Sequence, residues 1–108
     1  MPMAWLMVRA VVREATDRPR FDRWYETEHL PDAVRAFGVA RAWRCWSAID
    51  PTVHYAFYEF PDLARAREVV EGPAIRPMIA EFDRVWGDRV TRSRELMGLA
   101  GEIGAATH

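Results

Sequence analysis

The chain has a single cysteine, Cys45, in 108 residues. That excludes an internal disulfide and any cysteine-based zinc site, and it suits a reducing compartment. A strong charge of either sign is also missing. The formal net charge is −1, which leaves no electrostatic case for nucleic acid or a membrane surface as partner. No apolar run approaches the roughly 20 residues that span a bilayer. The stretch from Met1 to Val12 lacks a basic leader and is interrupted by Arg9, so it does not read as a signal peptide. The expected setting is the cytoplasm. There is no HxxxH, HExxH or Cys/His cluster, so no metal is expected. There is no glycine-rich phosphate loop either, so no nucleotide cofactor is expected.

What the chain does have is apolar bulk. Half its residues are hydrophobic, with five Trp, five Phe and three Tyr. That is enough for one packed core and too much for a disordered chain. We expect one domain over residues 1–97. Residues 98–108 are small and Gly/Ala-rich and read as a flexible tail or an arm toward a partner chain.

The stretch Phe21 to Gly38 organises the rest. Phe21, Trp24, Tyr25, Glu28 and His29 are spaced at i, i+3, i+4, i+7 and i+8, which is one face of a helix. Asp22, Arg23, Glu26 and Thr27 face water. Leu30, Val34 and Phe37 continue the apolar set. A long helix is predicted, kinked or broken near Pro31 and stopped at Gly38. Thr16 or Asp17 is placed to cap it, and Pro19 suits its first turn.

Strands are predicted on either side. Ala4 to Val12 is Val-rich and apolar on both faces, as in a central strand buried on both sides. Val39 to Ile49 and Val53 to Phe60, joined by the turn Asp50-Pro51-Thr52, read as an antiparallel hairpin. A helix capped by Asp62 carries Leu63, Ala66, Val69 and Val70. Gly72-Pro73 interrupts it, and a second helical stretch runs from Ala74 to Trp86, stopped by Gly87. Asp88 to Met97 is the fourth strand.

The order strand, helix, strand, strand, helix, strand points to an α+β fold. In this ferredoxin-like βαββαβ sandwich, a four-stranded antiparallel sheet carries its helices on one face. The other face then shows Trp5, Met7 and Val11, or else Leu6, Val8 and Val12, to water. Such a patch exceeds what a soluble monomer normally exposes, and a second copy packed sheet to sheet would cover it. A homodimer is therefore expected.

The run F-x-x-W-Y-x-x-x-H-L-P, with F-G before the next strand, resembles the EthD-type members of the dimeric α+β barrel superfamily. The matching positions are Phe21, Trp24, Tyr25, His29, Pro31 and Gly38. The resemblance implies two sheets packed as a dimeric barrel and a cleft between each sheet and its helices. It also implies a range of activities that includes cofactor-free monooxygenases, isomerases and cyclases, along with haem enzymes, so the fold does not choose the function.

His29 is the leading candidate for chemistry, because imidazole moves protons near neutral pH without a cofactor. The alternative is a structural His bonded to a carbonyl freed at the Pro31 kink. Tyr25, one turn earlier, would be its partner or a substrate anchor. Trp24 and Trp43 could wall a pocket for a small apolar metabolite. His54 and Tyr58 share a strand face and could act on a carbonyl, or His54 could sit exposed and idle at the strand's end. Arg9, in the central strand, should pair with Glu59 or Glu95 or else meet an anionic ligand. Arg41, Arg44, Arg92 and Arg94 also stand out from a usual surface scatter. Cys45 is expected to be a buried, inert thiol. The readings that remain are a cofactor-independent enzyme with His29 as proton-transfer group and a non-catalytic, ligand-binding homodimer.

Overall fold

The structure, a computed structural model, describes residues 2–104. Four strands, β1 (Ala4–Val12), β2 (Ala42–Trp46), β3 (Val53–Phe60) and β4 (Val90–Gly98), form one antiparallel sheet in the order β2-β3-β1-β4. This is the ferredoxin-like α+β fold. The pleat separates the two faces of the central strand. Ala4, Leu6, Val8, Ala10 and Val12 are buried against the helices, while Trp5, Arg9 and Val11 stay half exposed on the other side.

The long helix begins at Arg18, with Asp17 at the cap position and Pro19 in the first turn as expected. The Asp17 side chain makes no capping hydrogen bond, however, and pairs with Arg89 instead. The helix runs unbroken to Phe37. It comprises α1 (Arg18–Trp24), a π-helical turn (Tyr25–His29) and α2 (Leu30–Phe37). Pro31 does not break it. The distortion lies upstream, where Leu30 N–H reaches the Tyr25 carbonyl across the wider turn. A π turn advances less per residue than an α turn. It therefore swings Glu28 outward and holds His29 inward, and Glu28 leaves the face on which the 3.6-residue period placed it. Gly38 ends the helix in the left-handed region (φ 66°), with its N–H bonded to the Val34 carbonyl at 3.0 Å.

The second helical unit is α3 (Leu63–Glu71) and α4 (Arg76–Trp86). The Asp62 carboxylate caps α3 through Arg65 N–H at 2.8 Å. The break falls at Gly72, where a Cβ would lie 2.4 Å from the Glu68 carbonyl oxygen. Gly87 (φ 56°) stops α4.

Two strands differ from expectation in extent. β2 is shorter than Val39 to Ile49. At its end the Ser47 hydroxyl accepts the N–H groups of Ile49 (3.1 Å) and Asp50 (3.0 Å), diverting them from the ladder. Ile49 is left 96% exposed. β4 starts at Val90 rather than Asp88, because Gly87–Arg89 first make a 3-10 turn, and it ends at Gly98 opposite Ala4. Leu99 N–H still reaches the Met3 carbonyl at 3.0 Å, while 100–104 have no regular structure. The last four residues of the expected tail, His108 included, lie outside the described residues.

The core is aromatic at one end. Phe21 is fully buried, with the rings of Trp24, Tyr25, Trp46, His54, Phe82 and Trp86 at centroid distances of 5.1–6.1 Å. The tilted and edge-on contacts among them suit the ring quadrupoles.

Candidate functional site

A cavity opens between the sheet and the helices beside this cluster. β1 supplies Leu6 and Val8, the long helix Tyr25, His29, Ala33 and Phe37, and β3 Tyr58. Ile75, Met78, Ile79 and Phe82 close the far wall, and Arg92 and Arg94 reach in from β4. The cavity volume is ≈ 30 Å³, which admits a water molecule. A ring-bearing ligand would have to displace side chains, and Met78, Ile79, Arg92 and Arg94 are the lining residues that are not buried.

His29 lines this space and is 6% exposed. Its ring stacks on Trp24 at 4.5 Å and meets Tyr25 edge-on at 5.0 Å. Nδ1 is buried without a hydrogen-bond partner. The structure therefore shows no bond from Nδ1 to a carbonyl freed at a kink. Burial, reinforced by the Arg92 cation, pushes the imidazole pKa down to about 4. At neutral pH His29 is an uncharged base.

Tyr25 does not bond to His29. Its hydroxyl lies 3.5 Å from that of Tyr58. Burial pushes the Tyr25 phenol up to about 12 and raises Tyr58 well above its usual value. Both phenols stay protonated at neutral pH, and whichever accepts in the bond between them keeps its own O–H to donate to an oxygen in the cavity.

The other sequence candidates are dispersed. Trp24 backs the His29 ring from outside the cavity lining. Trp43 lies on the opposite sheet face, stacked on Phe57 at 5.4 Å with the Arg41 guanidinium 4.8 Å above it. Arg9 shares that face and pairs with neither expected partner. Glu59 instead takes Arg41 (3.5 Å) and the Trp5 indole N–H (3.0 Å). Cys45 is exposed, not buried, because it too projects from the uncovered face.

His54 is neither exposed nor in the cavity. It is fully buried behind Tyr25, 4.7 Å ring to ring. Arg44 Nη1 donates to its Nε2 at 3.3 Å, and since guanidinium only donates, the imidazole proton sits on Nδ1. Arg44 is held in turn by Asp22 (2.8 Å) and Glu26 (2.9 Å), and Asp22 also accepts the Trp46 indole N–H at 2.7 Å. Burial and the Arg44 charge lower the His54 pKa to about 4.

Sequence reasoning singled out Arg92 and Arg94 without placing them. Their signal was available in the alternation of β4, where both share the face of Val90 and Leu96. That face packs on the helices opposite Ala10 and Val8 of β1. Arg92 is partly buried there and paired with Asp83 at 3.0 Å, while Arg94 is exposed. Among the described residues, no three or more His, Cys, Asp or Glu side chains converge as they would around a metal ion, and no helix is long and apolar enough to cross a membrane.

No family model matches the chain, and no curated protein matches it in sequence. Solved structures do match in fold. A point mutant of SnoaB, a cofactor-independent oxygenase from Streptomyces nogalater, superposes with a TM-score of 0.69 at 13% identity, covering 97% of this chain and 100% of its own. An ethyl tert-butyl ether D (EthD) family protein from Bacillus halodurans C-125 gives 0.60 at 12% identity, over 84% of this chain and 96% of its own. A dimeric ferredoxin-like protein from an uncultured marine organism gives 0.53 at 12% identity, over 95% and 100%. This chain therefore shares the ferredoxin-like α+β fold that EthD-type and dimeric ferredoxin-like proteins also adopt.

Proposed function

We propose that the protein is a cofactor-independent enzyme that removes a proton from a small apolar carbonyl- or ring-containing metabolite, with His29 as the proton-transfer group. One observation carries this reading. His29 is a neutral imidazole with an unpartnered, buried Nδ1, on the wall of a cavity otherwise lined by apolar groups, two phenols and two arginines. All 15 basic residues are arginine, so no lysine amine competes as a Schiff-base former. In the step proposed, the C–H bond next to a carbonyl breaks, the proton goes to the imidazole, and the electron pair moves to the carbonyl oxygen as an enolate. The Tyr25 or Tyr58 hydroxyl donates to that oxygen. Oxygenation, isomerisation and cyclisation of such compounds can all start from this step. The fold shared with a cofactor-independent oxygenase supports the reading.

The working form in this reading is a cytoplasmic homodimer. Trp5, Arg9, Trp43, Tyr55 and Phe57 form a half-exposed, largely apolar face that no element among the described residues covers. The dimeric ferredoxin-like neighbour supports this assembly.

The test is deuterium exchange at the α-carbon of cyclohexanone in D2O, with wild-type protein and His29→Gln. Normal melting temperature with exchange reduced to the buffer rate supports catalysis. A second reading, a ligand-binding dimer without chemistry, is favoured by the close Trp24–His29 stack and the small cavity. It predicts a large loss of melting temperature in His29→Gln and no exchange above buffer in either protein.

A further inference from the structure

We propose that the ligand of this cavity is an acid, a carboxylate or an enol or phenol that ionises on binding, and that Arg94, seconded by Arg92, receives its negative charge. This rests on reading the cavity as the functional site and narrows the class of compound that enters it.

The two arginines differ in what already holds them. Arg92 is mostly buried, its guanidinium carbon 4.1 Å above the Phe82 ring, and it is paired with Asp83 at 3.0 Å. Arg94 lines the same cavity, yet among the described residues it has neither an ion pair nor a side-chain hydrogen bond. Partial burial and the neighbouring Arg92 charge disfavour its charged form. Arg94 is nonetheless an exposed residue lining the cavity with no carboxylate among the described residues bonded to it, so its guanidinium is free to receive an anion that enters there. Arginine is also the residue whose planar fork matches a carboxylate or enolate with two parallel N–H donors.

The second, independent observation is across the cavity. His29 Nδ1 is nine-tenths buried and unpartnered, and Arg92 opposes protonation of the ring. The cavity wall thus sets an unpartnered base against Arg92, which Asp83 already pairs, and Arg94, which no carboxylate among the described residues pairs. An anion formed there would be stabilised by the arginines and would in turn favour the imidazolium. β4 is an edge strand of the sheet, and its neighbours on β1, Ala10 beside Arg92 and Val8 beside Arg94, are small.

The experiment uses the full chain and two isosteric probes, benzoate and neutral benzamide, with binding followed by calorimetry at about pH 7.5 and low salt. Wild type should bind benzoate at least tenfold more tightly than benzamide, and added salt should erode the difference. Arg94→Gln should remove the preference, and Arg94→Lys should restore part of it. A melting temperature within a few degrees of wild type will show that each variant is folded. Equal affinity for the two probes, a preference that survives in Arg94→Gln, or no binding of either probe overturns the proposal. Proton exchange is read separately. Exchange that depends on His29 without any benzoate preference sinks the acid class and leaves the catalytic reading. A benzoate preference that depends on Arg94 without exchange does the reverse.

Discussion

Mild acid should unfold this protein through its two buried histidines. In the unfolded chain each titrates near 6.5, whereas in the fold His29 and His54 are held at about 4. The groups acting on His29 are burial and Arg92, opposed by Asp32 and Glu81; on His54 they are burial and Arg44, opposed by Asp22. Between these pKa values the unfolded chain binds protons that the folded one refuses. Stability is therefore intact above about pH 7 and falls as pH drops from about 6.5 toward 4. By about pH 5 each histidine should have cost about 2 kcal/mol, or about 4 kcal/mol together, a large part of the stability of a small domain. Asp22, Asp50 and Glu81 also have lowered folded pKa values. Their contributions are lost only at lower pH, as the carboxylates themselves protonate. The assay is urea unfolding at about pH 7.5, 6 and 5 at one protein concentration, since any dimer would make stability concentration-dependent. His29→Gln and His54→Gln should each lose about half the pH dependence of wild type. A wild-type loss below about 1 kcal/mol over this range, or variants with undiminished dependence, would refute the claim that both imidazoles are held neutral by burial.

The packing sets two more expectations. Phe21→Ala removes the ring at the centre of the aromatic cluster and should cost about 3–5 kcal/mol by chemical denaturation, with the m-value unchanged. A loss under about 1 kcal/mol would show that the surrounding rings collapse into the gap. Phe57→Glu puts a charge on the uncovered sheet face beside Trp43 and Met7. It should convert a dimer of twice the 12.5 kDa chain mass into a folded monomer by sedimentation. A wild-type monomer at micromolar concentration would remove the basis for the dimer.

Local rules made much of the fold legible. Gly38 and Gly87 read as helix stops because each residue must adopt a positive φ there, and Asp62 read as a cap because its carboxylate meets an N–H three residues on. The period of two in β1 correctly separated Leu6 and Val8 from Trp5 and Arg9. The errors came where a non-local partner or a change of helical period intervened. Cys45 looked buried in an apolar strand, but its strand face has no cover among the described residues. His54 looked like an exposed strand end, but Arg44, itself anchored by two carboxylates of the long helix, reaches over it.

By itself, then, the sequence determined the order of the elements, the Asp62 cap, the stops at Gly38 and Gly87, and the presence of His29 on an inward-turning helix. These depend on backbone preferences and spacings that act within a few residues. Only the tertiary structure decided which of five candidate arginines enter the cavity, that Tyr25 pairs with Tyr58 rather than His29, and that His29 rather than Glu28 points inward. Those outcomes depend on the register of β4 against β1 and on one wide helical turn. The register pairs segments far apart in the chain, and the wide turn breaks the 3.6-residue period on which the sequence reading relied.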